Sequence, residues 1–182
     1  MRRVLVLAAA ALCAAACFSQ TCSYRHDGQY ALPDAACTPG AANPQLMADP
    51  SGKSHMVNGV EANVCAKDFR TGPWRKVSEV EKKKACVEYG ITSGCPGPQY
   101  ELDHLISLEI GGSDVVGNLW PQPIGQARVK DHGTEDKLPA MVCGKKTKWN
   151  PNGRVYMTLR QAQACISGDW AQCASRVSSL EK

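Results

Sequence analysis

The residues that could do chemistry lie in 101–123, ELDHLISLEIGGSDVVGNLWPQP. Asp103 and His104 are adjacent, Gly111-Gly112 follow six residues later, and after five more Asn118 opens Asn-Leu-Trp. A carboxylate can hold a hard divalent cation while a neighbouring imidazole accepts a proton near its ordinary pKa. Phosphodiester hydrolysis has both needs, because water must be activated and the leaving alkoxide stabilised. Asn118 is a candidate to fix the imidazole's orientation through its side-chain amide. A D-H dipeptide alone is worth almost nothing and in a strand is usually structural. The full spacing is far more specific, since glycine makes up only ~7% of residues in general.

These side chains must be positioned by the elements around them. Residues 100–110 are apolar enough for a strand, Gly111 to Asp114 supply a turn, and Asn118 to Trp120 read as a second strand that Pro121 and Pro123 end. Consecutive strand residues face opposite ways, so Asp103 and His104 serve different roles unless the strand ends or bends there. From Gly125 the composition turns helical, with Gly133 and Pro139 arguing against an unbroken helix to Cys143. The result is a compact ββα unit. Two further helices are expected, one opened by the capping box Ser78/Glu81 and closed at Gly90, the other opened by Thr158/Gln161. Residues 21–60, rich in Gly, Pro, Asn, Asp and Ser, read as a loop-like arm carrying no chemistry, with His26 and His55 as surface residues.

The chain has 182 residues and opens MRRVLVLAAAALCAAACFSQ, the order of a secretory signal peptide over residues 1–20. Lipid anchoring through Cys17 is less favoured, because Ala14 stands where a leucine is usual. Stable membrane insertion is not expected. The formal charge of +4 falls to +2 once Arg2 and Arg3 leave, so net charge says little about partners. Ten cysteines become eight with Cys13 and Cys17 removed. Export and an even count point to disulfides, and with no C-x-x-C pair a thiolate metal site is not expected. Cys86 with Cys95 and Cys165 with Cys173 are the short-range pairings. The second requires a broken helix, because eight residues of straight helix separate Cα atoms by ~12 Å. Residues 61–182 then form one domain.

The spacing resembles that of the HNH endonucleases of the ββα-metal (His-Me finger) type, which run D-H, a G-G turn, then N-L. More narrowly, it is similar to small exported bacterial proteins with the core E-x-D-H-L-I-x-L-E-x-G-G…N-L-W-P-Q-P, followed by K-D, E, L…V-C and A-Q…D-W. This chain supplies Glu101, Asp103, His104, Gly111, Gly112, Asn118, Leu119 and Trp120, then Lys130, Asp131, Glu135, Leu138, Val142, Cys143, Ala162, Gln163, Asp169 and Trp170. The resemblance implies an α+β fold with a ββα-metal core, flanking helices and disulfide staples. It makes Asp103 the first metal ligand, His104 the general base and Asn118 its orienting residue.

The last ligand stays open. Where many HNH enzymes place a histidine, this chain has Gln126, Ala127 and Arg128. Asp131, His132 and Glu135 are the candidates further along, with Gln126 a weaker one. Ser107 stands where a proline is common, and the helix carries one extra residue around His132-Gly133.

The expected function is an exported, monomeric nuclease that hydrolyses DNA, with RNA as the secondary substrate, using Mg²⁺ first and Mn²⁺ or Zn²⁺ as alternatives. Arg128, Lys130, Lys145, Lys146 and Lys148 are its candidate phosphate contacts, with Trp149 among the loop lysines. No base-reading module is visible. The alternative is a non-catalytic, disulfide-stapled binding protein on the same scaffold.

Overall fold

The computed structural model describes residues 21–180; the expected signal peptide at 1–20, with Cys13 and Cys17, lies outside them. Among the described residues the fold is mixed α+β, with three two-stranded antiparallel sheets and helices between and after them. In the arm, β1 (Arg25–Asp27) pairs with β2 (Tyr30–Leu32), and β3 (Met56–Val57) with β4 (Val60–Glu61). The arm is therefore less loop-like than its composition implies. Ala31, Leu32 and Leu46 pack into the same core as Trp120, Leu138, Ile166 and Trp170.

Helix α1 (Glu79–Glu88) begins at the expected capping box, with Ser78 and Glu81 bonding reciprocally, and stops where Gly90 turns left-handed at φ 74°. The central hairpin joins β5 (Tyr100–His104) to β6 (Leu119–Pro123), with Asp103 opposite Trp120 and His104 opposite Leu119. Two boundaries differ from expectation. β5 stops at His104, and residues Leu108–Ile110 form a 3-10 turn rather than more strand. β6 runs through both prolines. Leu105 donates to the Asn118 carbonyl and Ile124 to that of Gln99. The alternation between those bonds puts the Tyr100–Pro123 and Leu102–Pro121 pairs at non-hydrogen-bonded positions, where a missing N–H costs the ladder nothing.

The turn between the strands depends on its glycines. Gly111 has φ 76°, and a Cβ on Gly112 would lie 1.8 Å from the Ile106 carbonyl oxygen. Helix α2 (Ile124–Lys130) follows β6 and packs against both strands of the hairpin. It continues as a π-helical turn, Asp131–Glu135, which holds one more residue than an α-helical turn, so no unbroken α-helix runs through Gly133. Pro139 sits in the first turn of α3 (Leu138–Cys143), where its missing N–H is tolerated.

Helix α4 (Leu159–Gly168) starts at the Thr158/Gln161 capping box, and α5 (Trp170–Leu180) follows directly. Asp169 between them is extended, φ −158°, which breaks the helix and brings the Cα atoms of Cys165 and Cys173 to 5.3 Å. That disulfide and Cys86–Cys95 are the two short-range pairings expected. Cys22–Cys37 and Cys65–Cys143 complete four. Among the described residues, no helix is long and apolar enough to cross a membrane.

Candidate functional site

Period-two alternation along β5 sends neighbouring side chains to opposite faces, and the strand's end at His104 lets both reach one rim. Asp103 points toward α2. Its Oδ2 accepts from Lys130 Nζ at 2.6 Å and from the Trp120 indole at 3.3 Å. His104 faces the other way, and its Nε2 lies 2.7 Å from Asp114 Oδ1.

Asp114 was not foreseen as a site residue, yet it orients the imidazole. It sits in the loop that any hairpin pairing His104 with Leu119 must fold back, and that placement is the sequence signal for it. Its other oxygen, Oδ2, accepts from the backbone N–H of Lys76 and of Val77. Burial alone would raise Asp114, but these donors and His104 outweigh it and hold the carboxyl below the usual range. The carboxylate thus accepts a hydrogen bond from Nε2–H, which keeps the ring proton on that nitrogen and leaves Nδ1 as the basic one. Burial lowers His104 below the ordinary imidazole value, against the opposing pull of Asp114 and Asp103. The ring is therefore neutral near pH 7 and able to accept a proton.

Asn118 does not touch the imidazole, contrary to expectation. Fully buried, its Oδ1 accepts from Ile106 N at 2.9 Å and Ala41 N at 3.2 Å, and its Nδ2 donates to the Ile106 and Ser113 carbonyls. It ties the Gly-Gly turn to the start of the loop, so it shapes the segment that delivers Asp114 rather than aiming the histidine directly. The arm joins the same loop through Gly40 N to Gly117 O and Ser113 N to Ala41 O.

Asp103, Asp131 and Glu135 converge, with one ligand oxygen from each within 4.8 Å of the others. Asp131 and Glu135 stand four residues apart on the π-helical turn, a spacing that keeps both on one side, where they meet Asp103 of β5. The other two ligand candidates are elsewhere. His132 is exposed and bonds Asp136 at 3.0 Å, and Gln126 bonds the arm through Ala31 N and Gln29 O.

Lys130 is corrected as well. It has no exposed surface and cannot meet a phosphate. Its Nζ donates to Asp103, to the His104 carbonyl at 2.8 Å and to Glu135. Burial works against its charge, but the Asp103 and Glu135 carboxylates outweigh it and hold the proton above the ordinary lysine range. Burial also raises Glu135 and Asp131, reinforced in each by the charge of Asp103. One ammonium among three carboxylates leaves two negative charges uncompensated.

The site opens into two adjoining clefts. An acidic one of about 220 Å³ is bordered by Asp103, Asp131 and Glu135, and a more apolar one of about 320 Å³ by Val77, Pro96 and Leu119. His104, Glu101, Leu102 and Arg75 border both. Of the other basic candidates, exposed Arg128 borders neither cleft, and Lys148 rests over the Trp149 ring, 4.3 Å from its centroid. No protein-family model, no curated protein and no solved structure matches this chain, so the site is read from its own geometry.

Proposed function

We propose that this chain is an exported, metal-dependent phosphodiesterase of the HNH (ββα-metal) type that cleaves nucleic acid. The observation that carries the reading is the convergence of Asp103, Asp131 and Glu135 beside a neutral histidine held by Asp114. The residues present fit a divalent ion. Their donors are all hard carboxylate oxygens, their spacing lies within one ion's reach, and their two uncompensated charges equal its own. Such a donor set favours Mg²⁺ or Mn²⁺ over Zn²⁺, which prefers nitrogen and sulfur.

Asp103, Asp131 and Glu135 would hold the ion, which supplies charge stabilisation to the scissile phosphate and its leaving oxygen. His104 Nδ1 takes the proton from the attacking water, and Asp114 stabilises the imidazolium that results, as a buried carboxylate does for a histidine base. Lys130 keeps two of the carboxylates in place through fixed hydrogen bonds. The four disulfides support an oxidising, extracytoplasmic destination.

Lys130 also favours a second reading. An ammonium bonded to two of the three acids makes a salt-bridged framework complete without an ion, as a binding protein on an inactive scaffold would have. Incubating the oxidised protein with plasmid DNA and with RNA, in Mg²⁺, Mn²⁺ or chelator, separates the two. Chelator-sensitive cleavage that His104→Ala abolishes is expected. Cleavage that survives His104→Ala removes the histidine from its role, and no cleavage under any condition leaves the framework reading.

A further inference from the structure

We infer that the site lies midway along a single continuous track for an extended, single-stranded phosphodiester chain. Basic side chains that the motif does not include grip the strand at both ends of this track. The inference rests on the nucleic-acid reading above and specifies where the strand runs.

A third cleft, about 390 Å³, adjoins the acidic one through shared walls, Thr71 and Glu109. The acidic cleft in turn shares Arg75 and His104 with the apolar one. The three therefore form a chain with the carboxylates and histidine in its middle. Lys67, Arg70 and Lys145 border the far end, and Arg75 and Lys82 the near end.

The charge order suits a polyanion. Cations flank the reacting centre on both sides, where successive phosphates of one strand would lie, and the three carboxylates that an ion would balance lie between them. Glu109 and Asp136 also line the third cleft, where Lys67, Arg70 and Lys145 outnumber them. Arg70 is fixed by donating to the Lys67 and Phe69 carbonyls, and half-buried Phe69 in the same wall offers a ring for a base to stack on. Lys82 bonds Glu79 at 2.6 Å in an i, i+3 surface pair, a contact weak enough to exchange for a phosphate. Four of the five cations come from residues 67–82, a segment outside the D-H…G-G…N-L motif.

Fluorescence anisotropy tests the track, using a short labelled oligothymidylate and the oxidised full chain in chelator, where no hydrolysis intervenes. Lys67→Ala/Arg70→Ala/Lys145→Ala and Arg75→Ala/Lys82→Ala should each weaken binding by about tenfold or more. Each should also flatten the salt dependence by about 0.7 in log–log slope per contact removed. Lys146→Ala/Lys148→Ala, off the track, should bind as the parent does. Parent-like binding by both track variants overturns the inference, as does equal loss in the off-track control or no binding by the parent. Because the readout needs no cleavage, a chain that binds in this pattern but cuts nothing refutes the enzyme and leaves the track standing. A chain that cuts but ignores these substitutions does the reverse.

Discussion

A lysine with no exposed surface and all three N–H groups engaged acts as a fixed internal cation, and Lys130 is one. Replacing it by methionine keeps the volume but strands Asp103 and Glu135 without their partner. We expect Lys130→Met to destabilise the fold by about 3–5 kcal/mol in urea denaturation, the usual cost of breaking a buried pair from one side. Added Mg²⁺ should restore part of that loss if the carboxylates hold an ion, and none if they form only a framework. Asp114 makes the complementary case. Burial depresses the His104 pKa while Asp114 opposes the depression. The base is active when unprotonated, so cleavage should be full at high pH and fall as pH drops through a value below that of an ordinary imidazole. Asp114→Asn should move that limb to still lower pH and cut the plateau rate by roughly 10–100-fold, as loss of an orienting partner does. A pH–rate profile identical to the parent's would remove Asp114 from this role.

The π-helical turn is the element on which the carboxylates depend. Deleting Gly133 would remove the residue that widens the turn and set Glu135 three positions after Asp131 rather than four, pulling its carboxylate out of register with Asp103 and Lys130. The deletion should leave far-UV circular dichroism nearly unchanged but abolish any thermal stabilisation by Mn²⁺. Gly133→Ala should leave both the spectrum and the Mn²⁺ effect as they are. A Cβ there would meet Ala174 at an ordinary 3.7 Å, so we expect stabilisation by about 0.5–1 kcal/mol from the stiffer unfolded chain. The extra residue matters, and its identity does not.

Much of this scale was legible in the sequence because it is local. Both capping boxes, the Gly-Gly turn and the helix break between Cys165 and Cys173 are set by residues a few positions apart. What was not legible is settled at long range. Nothing near Lys130 in sequence announces that α2 buries it against β5, and an apolar-looking run could not show that the strand stops at His104. Asn118 reads as a partner for the histidine because its spacing is known and its four hydrogen bonds across the loop are not.

At the scale of the whole molecule, the site is assembled from segments that only the tertiary fold and its cross-links bring together. The arm braces the loop carrying Asp114, residues 67–75 form one wall of the clefts, and α3 follows directly from the π-helical turn. Cys65–Cys143 ties the start of that wall to the end of α3 across a sequence separation of 78, against 8 for Cys165–Cys173. Loop-closure entropy in the unfolded chain assigns about 4.5 kcal/mol to the long link and about 2.5 kcal/mol to the short one. Cys65→Ala/Cys143→Ala should therefore lower stability by about 2 kcal/mol more than Cys165→Ala/Cys173→Ala in guanidinium titrations. The long link also holds the wall of the third cleft, so its loss should weaken oligonucleotide binding in the surviving folded protein. The short link lies between α4 and α5, away from the clefts, and its loss should cost stability alone. Equal effects of the two double variants on binding would mean that the wall keeps its place without its disulfide.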